Sequence, residues 1–405
     1  MKFNRWTIAL AAVGVVSLAS AAQAEEKASS VMTALSSTTL SGYVDTSAQW
    51  NFGTGNARLP DYKFGGSSKA DGFNLNVVQL RIEKPLDEAE WAAGYRVDLW
   101  AGPDANTLGT QSVLASGSGD FAIRQAYVAL RMPVGNGIDW KIGVFDSILG
   151  YESVESGNNP NYTRSFGHSI EPQTHTGVLV SYRFSDLISA SVGMANTTGA
   201  SINDRAFNSV PSETDHNKAE SFKTYMASVA LTAPENMGFL KGSTLYAGVV
   251  SGFNDSEARA DYDNNSTSYY VGGTLATPVT GLRCGAAFDY LDVHNVGNGE
   301  TWSVAGYASY QATEKLSLHL RGEYLRDRGD QKFFVDSDGN STNPDRALAV
   351  TATAQYDLWK NVISRLELRW DHSLNGQRTW GGTDTDSAPS RLNEWMLAAN
   401  IIYKF

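Results

Sequence analysis

Apolar and polar residues alternate with a period of two along most of the chain, and the alternation is plainest at its end. Across the last twelve residues, every second position from Trp395 to Phe405 is apolar. The intervening positions include Glu394, Asn400 and Lys404. Successive side chains of a β-strand point to opposite faces, so this period is that of a strand. We therefore predict a C-terminal strand with one apolar face and one polar face.

The same alternation recurs along the chain and predicts about sixteen strands. In the first of them, one face runs from Leu40 to Phe52 and is largely apolar, and the other runs from Ser41 to Asn51 and is polar. In chain order, the predicted strands cover residues 40–52, 73–84, 91–101, 124–132, 138–145, 177–184, 188–195, 222–231, 244–251, 268–275, 282–291, 302–311, 316–325, 348–357, 362–370 and 394–405.

The connections between these segments alternate in length. Short ones cover residues 133–137, 185–186, 277–281, 312–315 and 358–361, and longer polar stretches lie between them. Short turns at one rim and long loops at the other, joined by an even number of strands, are typical of bacterial outer-membrane barrels. We therefore predict an all-β fold: a transmembrane, antiparallel, up-and-down β-barrel of about 16 strands with short periplasmic turns and long extracellular loops, covering residues 38–405.

The composition agrees with a barrel. The chain has 38 glycines, 11 prolines and 11% aromatic residues, which favours strands and turns over helices. After the N-terminal region, no apolar run approaches the roughly 20 residues that a membrane-spanning helix needs. The single cysteine, Cys284, excludes an internal disulfide.

The N-terminus has the features of a secretory signal. Lys2 and Arg5 precede an uncharged run, and the run is followed by Ala22-Gln-Ala24. This order predicts a signal peptide over residues 1–24. Residues 25–37 then form a short periplasmic segment, either helical or disordered. Loss of two bases takes the formal net charge from −11 to −13, which argues against a nucleic-acid partner.

The polar faces of the predicted strands carry charges of both signs. Ionised groups are costly in a dry interior, and barrels of about 16 strands leave an aqueous channel. The charges therefore predict a water-filled lumen. The basic residues expected to line it are Arg81, Arg96, Arg183, Arg283, Arg321, Arg365 and Arg369.

Three stretches resemble a known family. They are DFAIRQAYVAL (Asp120–Leu130), WKIGVFDSILGYE (Trp140–Glu152), and NPNYTRSF with EPQTHTGV between Asn159 and Val178. These stretches look like the OmpL-like β-barrel porins of Gram-negative bacteria, most clearly between residues 40 and 184. The resemblance implies an outer-membrane porin, a channel for passive diffusion of small hydrophilic solutes or ions. It supplies no solute.

The third long connection, residues 146–175, is the richest in polar chemistry. General porins, by a looser analogy, narrow their pores with the third loop. That analogy predicts that Glu152, Glu155 and Glu171 face Arg81, Arg96 or Arg183 across the pore, with Arg164 also on the loop. The alternative is that the loop merely covers the mouth.

Two other functions stay open. One is a barrel enzyme, a lipase or protease, for which the nearest candidates are Asp371 with His372 and Ser317 with His319. The other is a plugged structural or adhesive barrel. No cofactor or metal is expected. Ion selectivity is also open, although the negative net charge tilts the expectation towards cations.

The expected partners follow from an outer-membrane location. They are membrane lipid, small hydrophilic solutes and the barrel assembly machinery. The last is expected because the C-terminus, with Tyr403 two residues before Phe405, resembles the signal that outer-membrane proteins present to that machinery. A homotrimer is plausible for about sixteen strands.

Overall fold

The protein is a closed antiparallel barrel of sixteen strands. The computed structural model describes residues 37–405, apart from residues 54, 61, 66, 88, 112–118, 207–221, 254–264, 295–298, 329–345, 375, 377 and 384–388. The strands are β1 (Thr39–Asn51), β2 (Gly72–Lys84), β3 (Ala93–Ala101), β4 (Phe121–Met132), β5 (Ile138–Asp146), β6 (Thr174–Arg183), β7 (Ile188–Ala195), β8 (Thr224–Thr232), β9 (Thr244–Phe253), β10 (Asn265–Ala276), β11 (Leu282–His294), β12 (Gly299–Gln311), β13 (Leu316–Arg328), β14 (Arg346–Trp359), β15 (Val362–Ser373) and β16 (Asn393–Lys404).

Each strand pairs with its neighbours in sequence, and β1 pairs with β16 to close the barrel. At this seam Val44 lies opposite Tyr403 and Ala48 opposite Ala399. The predicted all-β barrel and all sixteen strands are confirmed. Residues 1–36, which include the predicted signal peptide and nearly all of the 25–37 segment, lie outside the described residues.

The connections fall into two groups, which define two rims. The turn rim holds the links that follow the even-numbered strands, such as residues 133–137 and 360–361. The loop rim holds the longer ones, such as residues 52–71 and 147–173. One loop-rim link differs from the prediction, because β11 and β12 extend further than expected and leave only residues 295–298 between them.

Alternation along the strands places polar residues inside and apolar residues outside. On β13, Arg321 and Glu323 point into the barrel and are buried, whereas Leu318 and Leu320 point outward and are 45% and 52% exposed. Leaving such leucines exposed is unfavourable in water but favourable in a lipid bilayer. The outer surface is therefore built for a membrane. Among the described residues, no helix is both long and apolar enough to cross one.

Aromatic side chains collect on the outer surface near the loop rim. Trp302 of β12 lies 5.2 Å from Tyr324 of β13, and Trp370 of β15 lies 5.9 Å from Trp395 of β16, between ring centroids. Rings with an apolar body and a polar tip favour the interface between lipid and water. They form a girdle of the kind that membrane barrels carry at this interface.

The α-helices in the described part of the chain are short and lie in loops. The helix α1 (Pro103–Leu108) follows β3, and α2 (Phe166–Ile170) lies between β5 and β6. At α2, the Ser165 side chain accepts a hydrogen bond from the His168 amide at 3.1 Å, which caps the first turn. Each of the two helices is shorter than two turns, so neither provides the hydrophobic core of the protein.

The largest apolar cluster forms between the wall and residues 147–173, which we call the third loop. Ile148, Leu149 and Tyr151 of the loop pack with Met226 and other inward residues of β5 to β12. Tyr151 stacks on Tyr307 of β12 with ring centroids 4.0 Å apart. The core of the protein is therefore a loop packed against the inside of a barrel wall.

Candidate functional site

The third loop lies inside the barrel and meets charged residues from two regions of the wall. Strands β2 to β4 supply one region, and strands β13 to β16 supply the other. The inward residues of β6 to β10 between them are mostly small, hydroxyl-bearing or apolar. The loop therefore contacts charged residues on two parts of the wall and largely uncharged residues on the part between them.

In the first region, three arginines converge on one glutamate of the loop. Arg124 donates from Nη1 to Glu155 Oε1 at 2.7 Å, and Arg96 donates from Nη2 to the same oxygen at 3.4 Å. Arg81 also pairs with this oxygen. The other oxygen, Oε2, accepts from the Asn158 side chain at 2.9 Å. We call Arg81, Arg96 and Arg124 the arginine cluster.

Two further acids balance the arginine cluster. Arg81 donates from Nε to Asp98 Oδ1 at 2.8 Å, and Arg96 donates from Nη2 to Asp98 Oδ2 at 2.7 Å. Arg124 pairs with Asp146. Glu83 adds a longer contact to Arg96, at 4.0 Å, so three positive charges meet four negative ones. Although burial alone would raise it, the guanidinium groups of Arg81 and Arg124 hold the pKa of Glu155 well below its usual range.

The structure brings Glu155 to Arg81 and Arg96, as the analogy predicts, and also to Arg124, which the alternation of faces does not predict. The register of β3 and β4 shifts between Asp98 and Leu99, so that Arg124 and Gln125 both turn inward. A β-bulge breaks the alternation of faces, and that alternation is what marks inward residues in the sequence. Only the bulge places Arg124 beside the loop.

In the second region, wall side chains bind the loop at its middle. Arg321 donates from Nη1 to Glu152 Oε1 at 2.8 Å and to the Thr163 carbonyl oxygen at 2.7 Å, and from Nε to Glu323 Oε1 at 2.6 Å. Glu367 accepts from the Thr163 amide at 2.9 Å. Glu152 is therefore opposite Arg321 and not opposite Arg81, Arg96 or Arg183.

Two more wall arginines bind carbonyl groups of the loop. Arg365 donates to the Ser156 and Asn159 oxygens at 3.0 and 2.7 Å. Arg369 donates to the Arg164 oxygen at 3.0 Å. Arg321 and Arg369 are 0% exposed and Arg365 is 4% exposed, so these three lie beneath the loop and are not open to solvent.

Arg164 links two parts of the loop through its guanidinium group. It donates to the Tyr162 oxygen at 3.0 Å and to the Val154 oxygen at 2.8 Å, and its guanidinium lies 5.3 Å from the Phe64 ring centroid. Burial lowers the pKa of Arg164. Its partners lie on both limbs of the loop, which makes it a structural residue of the loop.

The remaining predicted site residues lie elsewhere. Arg183 ends β6 at the turn rim and pairs with the exposed Asp186, so it does not face the loop glutamates as expected. Arg283 lies near the same rim at the start of β11, and its Nη1 has no hydrogen-bond partner among the described residues. Glu171 faces Asp289 of β11 and not an arginine.

The candidate catalytic pairs are not arranged as nucleophile and base. Ser317 donates to Gln311 at 2.8 Å, whereas His319 bonds to Ser309 at 2.8 Å. His372 stacks on Trp370 at the outer face, while Asp371 points inward and pairs with an arginine. No group of three or more His, Cys, Asp or Glu side chains in the described part of the chain could hold a metal ion.

Solved structures of a channel, a porin and an outer membrane protein share this fold. The outer membrane channel DcaP of Acinetobacter baumannii gives a TM-score of 0.55 at 14% identity, over 91% of this chain and 97% of that one. An anion-selective porin from Comamonas acidovorans gives 0.56 at 12% identity, over 91% and 99%. The trimer form of in-vitro folded OmpT of Vibrio cholerae gives 0.52 at 12% identity, over 91% and 99%. At such identities the likeness concerns the fold alone.

Comparison by sequence gives the family. No curated protein matches the chain. A family model described as "Putative beta-barrel porin-2, OmpL-like" matches residues 37–405, from the residue before the barrel to its last residue. The resemblance noted in the three stretches above is thereby confirmed and extended over the whole barrel. The chain belongs to the OmpL-like beta-barrel porin-2 family of outer-membrane porins.

Proposed function

We propose that this protein forms a water-filled channel for passive diffusion of small hydrophilic solutes or ions, narrowed by its third loop. The observation that carries the proposal is the meeting of Glu155 with the arginine cluster. Arg81, Arg96 and Glu155 keep 20%, 18% and 12% of their side-chain surface exposed, whereas Arg321 and Arg369 keep none. Water therefore reaches Arg81, Arg96 and Glu155 but not Arg321 or Arg369.

Charged groups of both signs beside a narrow passage favour polar solutes. The field of the ion pairs between Glu155 and the arginines orients dipolar molecules that pass beside them and opposes the entry of apolar ones. The field acts more strongly in a confined lumen than in bulk water, because the surrounding wall and lipid have a low dielectric constant. Discrimination by size then comes from the loop itself.

The partners belong to the same proposal. The half-exposed outer face supports contact with lipid. Export by a signal peptide over residues 1–24, a periplasmic segment over residues 25–37 and recognition of Tyr403 and Phe405 by the barrel assembly machinery fit an outer-membrane barrel. A homotrimer is proposed on the strength of the trimer form among the structural neighbours.

The test is single-channel recording of the purified, refolded protein in a planar bilayer. The porin proposal expects stepwise, ohmic conductance, with a reversal potential under a salt gradient that reports ion selectivity. Folding is checked separately by heat-modifiable migration in gels. Folded protein without any current would contradict the proposal.

One observation favours a plugged barrel as the second candidate. The third loop fills the lumen on one side with Ile148, Leu149 and Tyr151 and is held on the other by buried arginines. A barrel closed in this way would be structural or adhesive. Absence of current, together with an exclusion of small polyethylene glycols from the lumen, is the result that would select it.

A further inference from the structure

Two carboxyl groups meet where the third loop returns to the wall. Glu171 lies near the end of the loop, Asp289 points inward from β11, and their side chains are within hydrogen-bonding reach. The two residues are 8% and 3% exposed. Two ionised carboxylates in contact and without water would repel strongly. A proton on one of the two groups removes one negative charge and is donated in a hydrogen bond to the other group.

The loop backbone leaves these carboxyl groups little room to separate. A Cβ built on Gly150 would lie 2.4 Å from Glu171 Oε2, and one built on Gly167 would lie 2.1 Å from Asp289 Oδ2. Each carboxyl group is thus packed against a loop glycine, where a side chain would leave no room for it. Because Gly150 is on the outgoing limb of the loop and Gly167 on the returning limb, the pair joins both limbs to β11.

Among the described residues, no cation neutralises the pair. Arg321, a buried arginine on this side of the lumen, is bound by Glu152 and Glu323, and Arg369 is bound by Asp371. Arg164 is directed to carbonyl groups of the loop. The other titratable groups facing the pair are Glu152 and His168 of the loop, Tyr270 of β10 and Glu323 of β13. The backbone of Tyr151 also forms a hydrogen bond to Glu171.

His168 does not act as a countercharge. Its Nδ1 lies 3.4 Å from Glu171 Oε2. Burial, reinforced by the charge of Arg164, holds the pKa of His168 well below its usual range, so the ring is neutral at ordinary pH. The contact between Glu171 and Asp289 therefore depends on a proton of their own.

We propose that Glu171 and Asp289 form a proton-binding site that holds the third loop against β11, and that loss of the proton releases the returning limb, residues 166–173. The consequence for conduction rests on the proposed function, because this limb belongs to the loop that narrows the channel. The proton site itself does not require a channel.

The sign of the pH dependence follows from the docked and released states. Burial, and then the charge of Asp289, raise the pKa of Glu171 well above its usual range in the docked loop. In the released loop a glutamate binds its proton only below about pH 4.3. The docked state therefore holds more protons, and docking weakens as pH rises above that value. One proton weakens it by up to about tenfold per pH unit.

Hydrogen–deuterium exchange of the folded, full-length protein measures docking directly. Peptides within residues 147–173 are compared between the wild type and Asp289→Asn at each pH from about 5 to 9, a range above the usual carboxyl pKa. The asparagine amide donates to Glu171 without a titrating proton. We expect the protection of the wild-type loop, relative to the variant, to fall steadily with pH. A ratio that stays constant with pH would overturn the proposal.

Two further variants complete the test. Glu171→Gln removes the same proton from the other partner and must give the same flattened pH dependence, which covers any failure of Asp289→Asn to fold. Glu235→Gln makes the same chemical change at a turn-rim site whose side chain is 82% exposed, and must follow the wild type. Conductance is recorded in parallel. A silent barrel whose loop still responds to pH would contradict the porin proposal and leave the proton site standing.

Discussion

Glu155 is the residue on which the electrostatics of the first charged region depend. It is one of four acids that contact the arginine cluster, Glu83 included, and of these four it alone lies on the loop. Asp98 and Asp146 remain on the wall whatever the loop does. The charge at this point of the lumen is therefore set by one loop side chain.

Replacing that side chain should change ion selectivity. In Glu155→Gln, the arginine cluster loses one of its negative partners, so we expect the reversal potential under a salt gradient to shift towards anion selectivity. The fold should persist, because glutamine retains the shape and one oxygen acceptor. Measurement of the reversal potential in a planar bilayer checks this.

Glu235→Gln serves as the matched control for charge, since it removes one acid from the turn rim without touching the cluster. An equal shift in both variants would mean that overall charge, and not the cluster, sets selectivity. No shift in either would place the conducting path away from Glu155.

At the scale of elements, the strands were predictable because one rule governs them all. Outward residues lie on the membrane-facing surface and inward residues face the lumen or the loop, so the alternation persists along each strand. It fails near the loop rim, where both faces are polar. On β13 the run Arg326, Asp327 and Arg328 continues the strand past the predicted end at residue 325.

The position of the third loop could not be predicted in the same way. Its bonds join residues far apart in sequence, such as Thr163 to Glu367 and Ser156 to Arg365. Periodicity assigns a face to each wall residue but not its neighbours across the lumen. It could therefore suggest that Arg321, Arg365 and Arg369 point inward, but not that the loop covers them.

Loss of one wall residue that binds the loop should release the loop without opening the barrel. In Arg321→Met, Glu152 and Glu323 lose their buried partner, and breaking a buried pair in this way costs about 3–5 kcal/mol. We expect faster hydrogen exchange in residues 147–173 and unchanged exchange in β6 to β10. Arg183→Met makes the same change beside Asp186, which is 71% exposed, and should cost about 1 kcal/mol or less.

Equal effects of the two substitutions would mean that the loop is not held by Arg321. Faster exchange in all strands would mean that the loop and the barrel unfold as one unit. Either result would mean that the second charged region does not specifically hold the third loop against the wall.

The whole molecule is organised around two different solvents. Its outer face contacts lipid, and the cost of charge there depends on depth. Leu320 and Leu316 both point outward on β13, but Leu316 is the first residue of that strand, at the turn rim, whereas Leu320 lies further from it.

The two leucines allow a matched test of membrane placement. Leu320→Arg should lower the free energy of unfolding by about 2–4 kcal/mol, and Leu316→Arg by about 0–1 kcal/mol, because an arginine near the interface reaches the headgroups. Denaturant titration of the protein folded in lipid vesicles measures both values. Similar losses at the two positions would argue that the apolar band does not lie where the strands place it.

The bonds between the third loop and strands β13 to β16 also constrain the order of assembly. The loop leaves β5 early in the chain, but Arg321, Glu367 and Arg365, which bind it, come from strands near the end. Contacts of such long sequence separation form slowly, because the intervening chain must be ordered first. The loop therefore cannot form these bonds until the last strands have joined the sheet. When β16 joins β1, the same step completes both the wall and the loop.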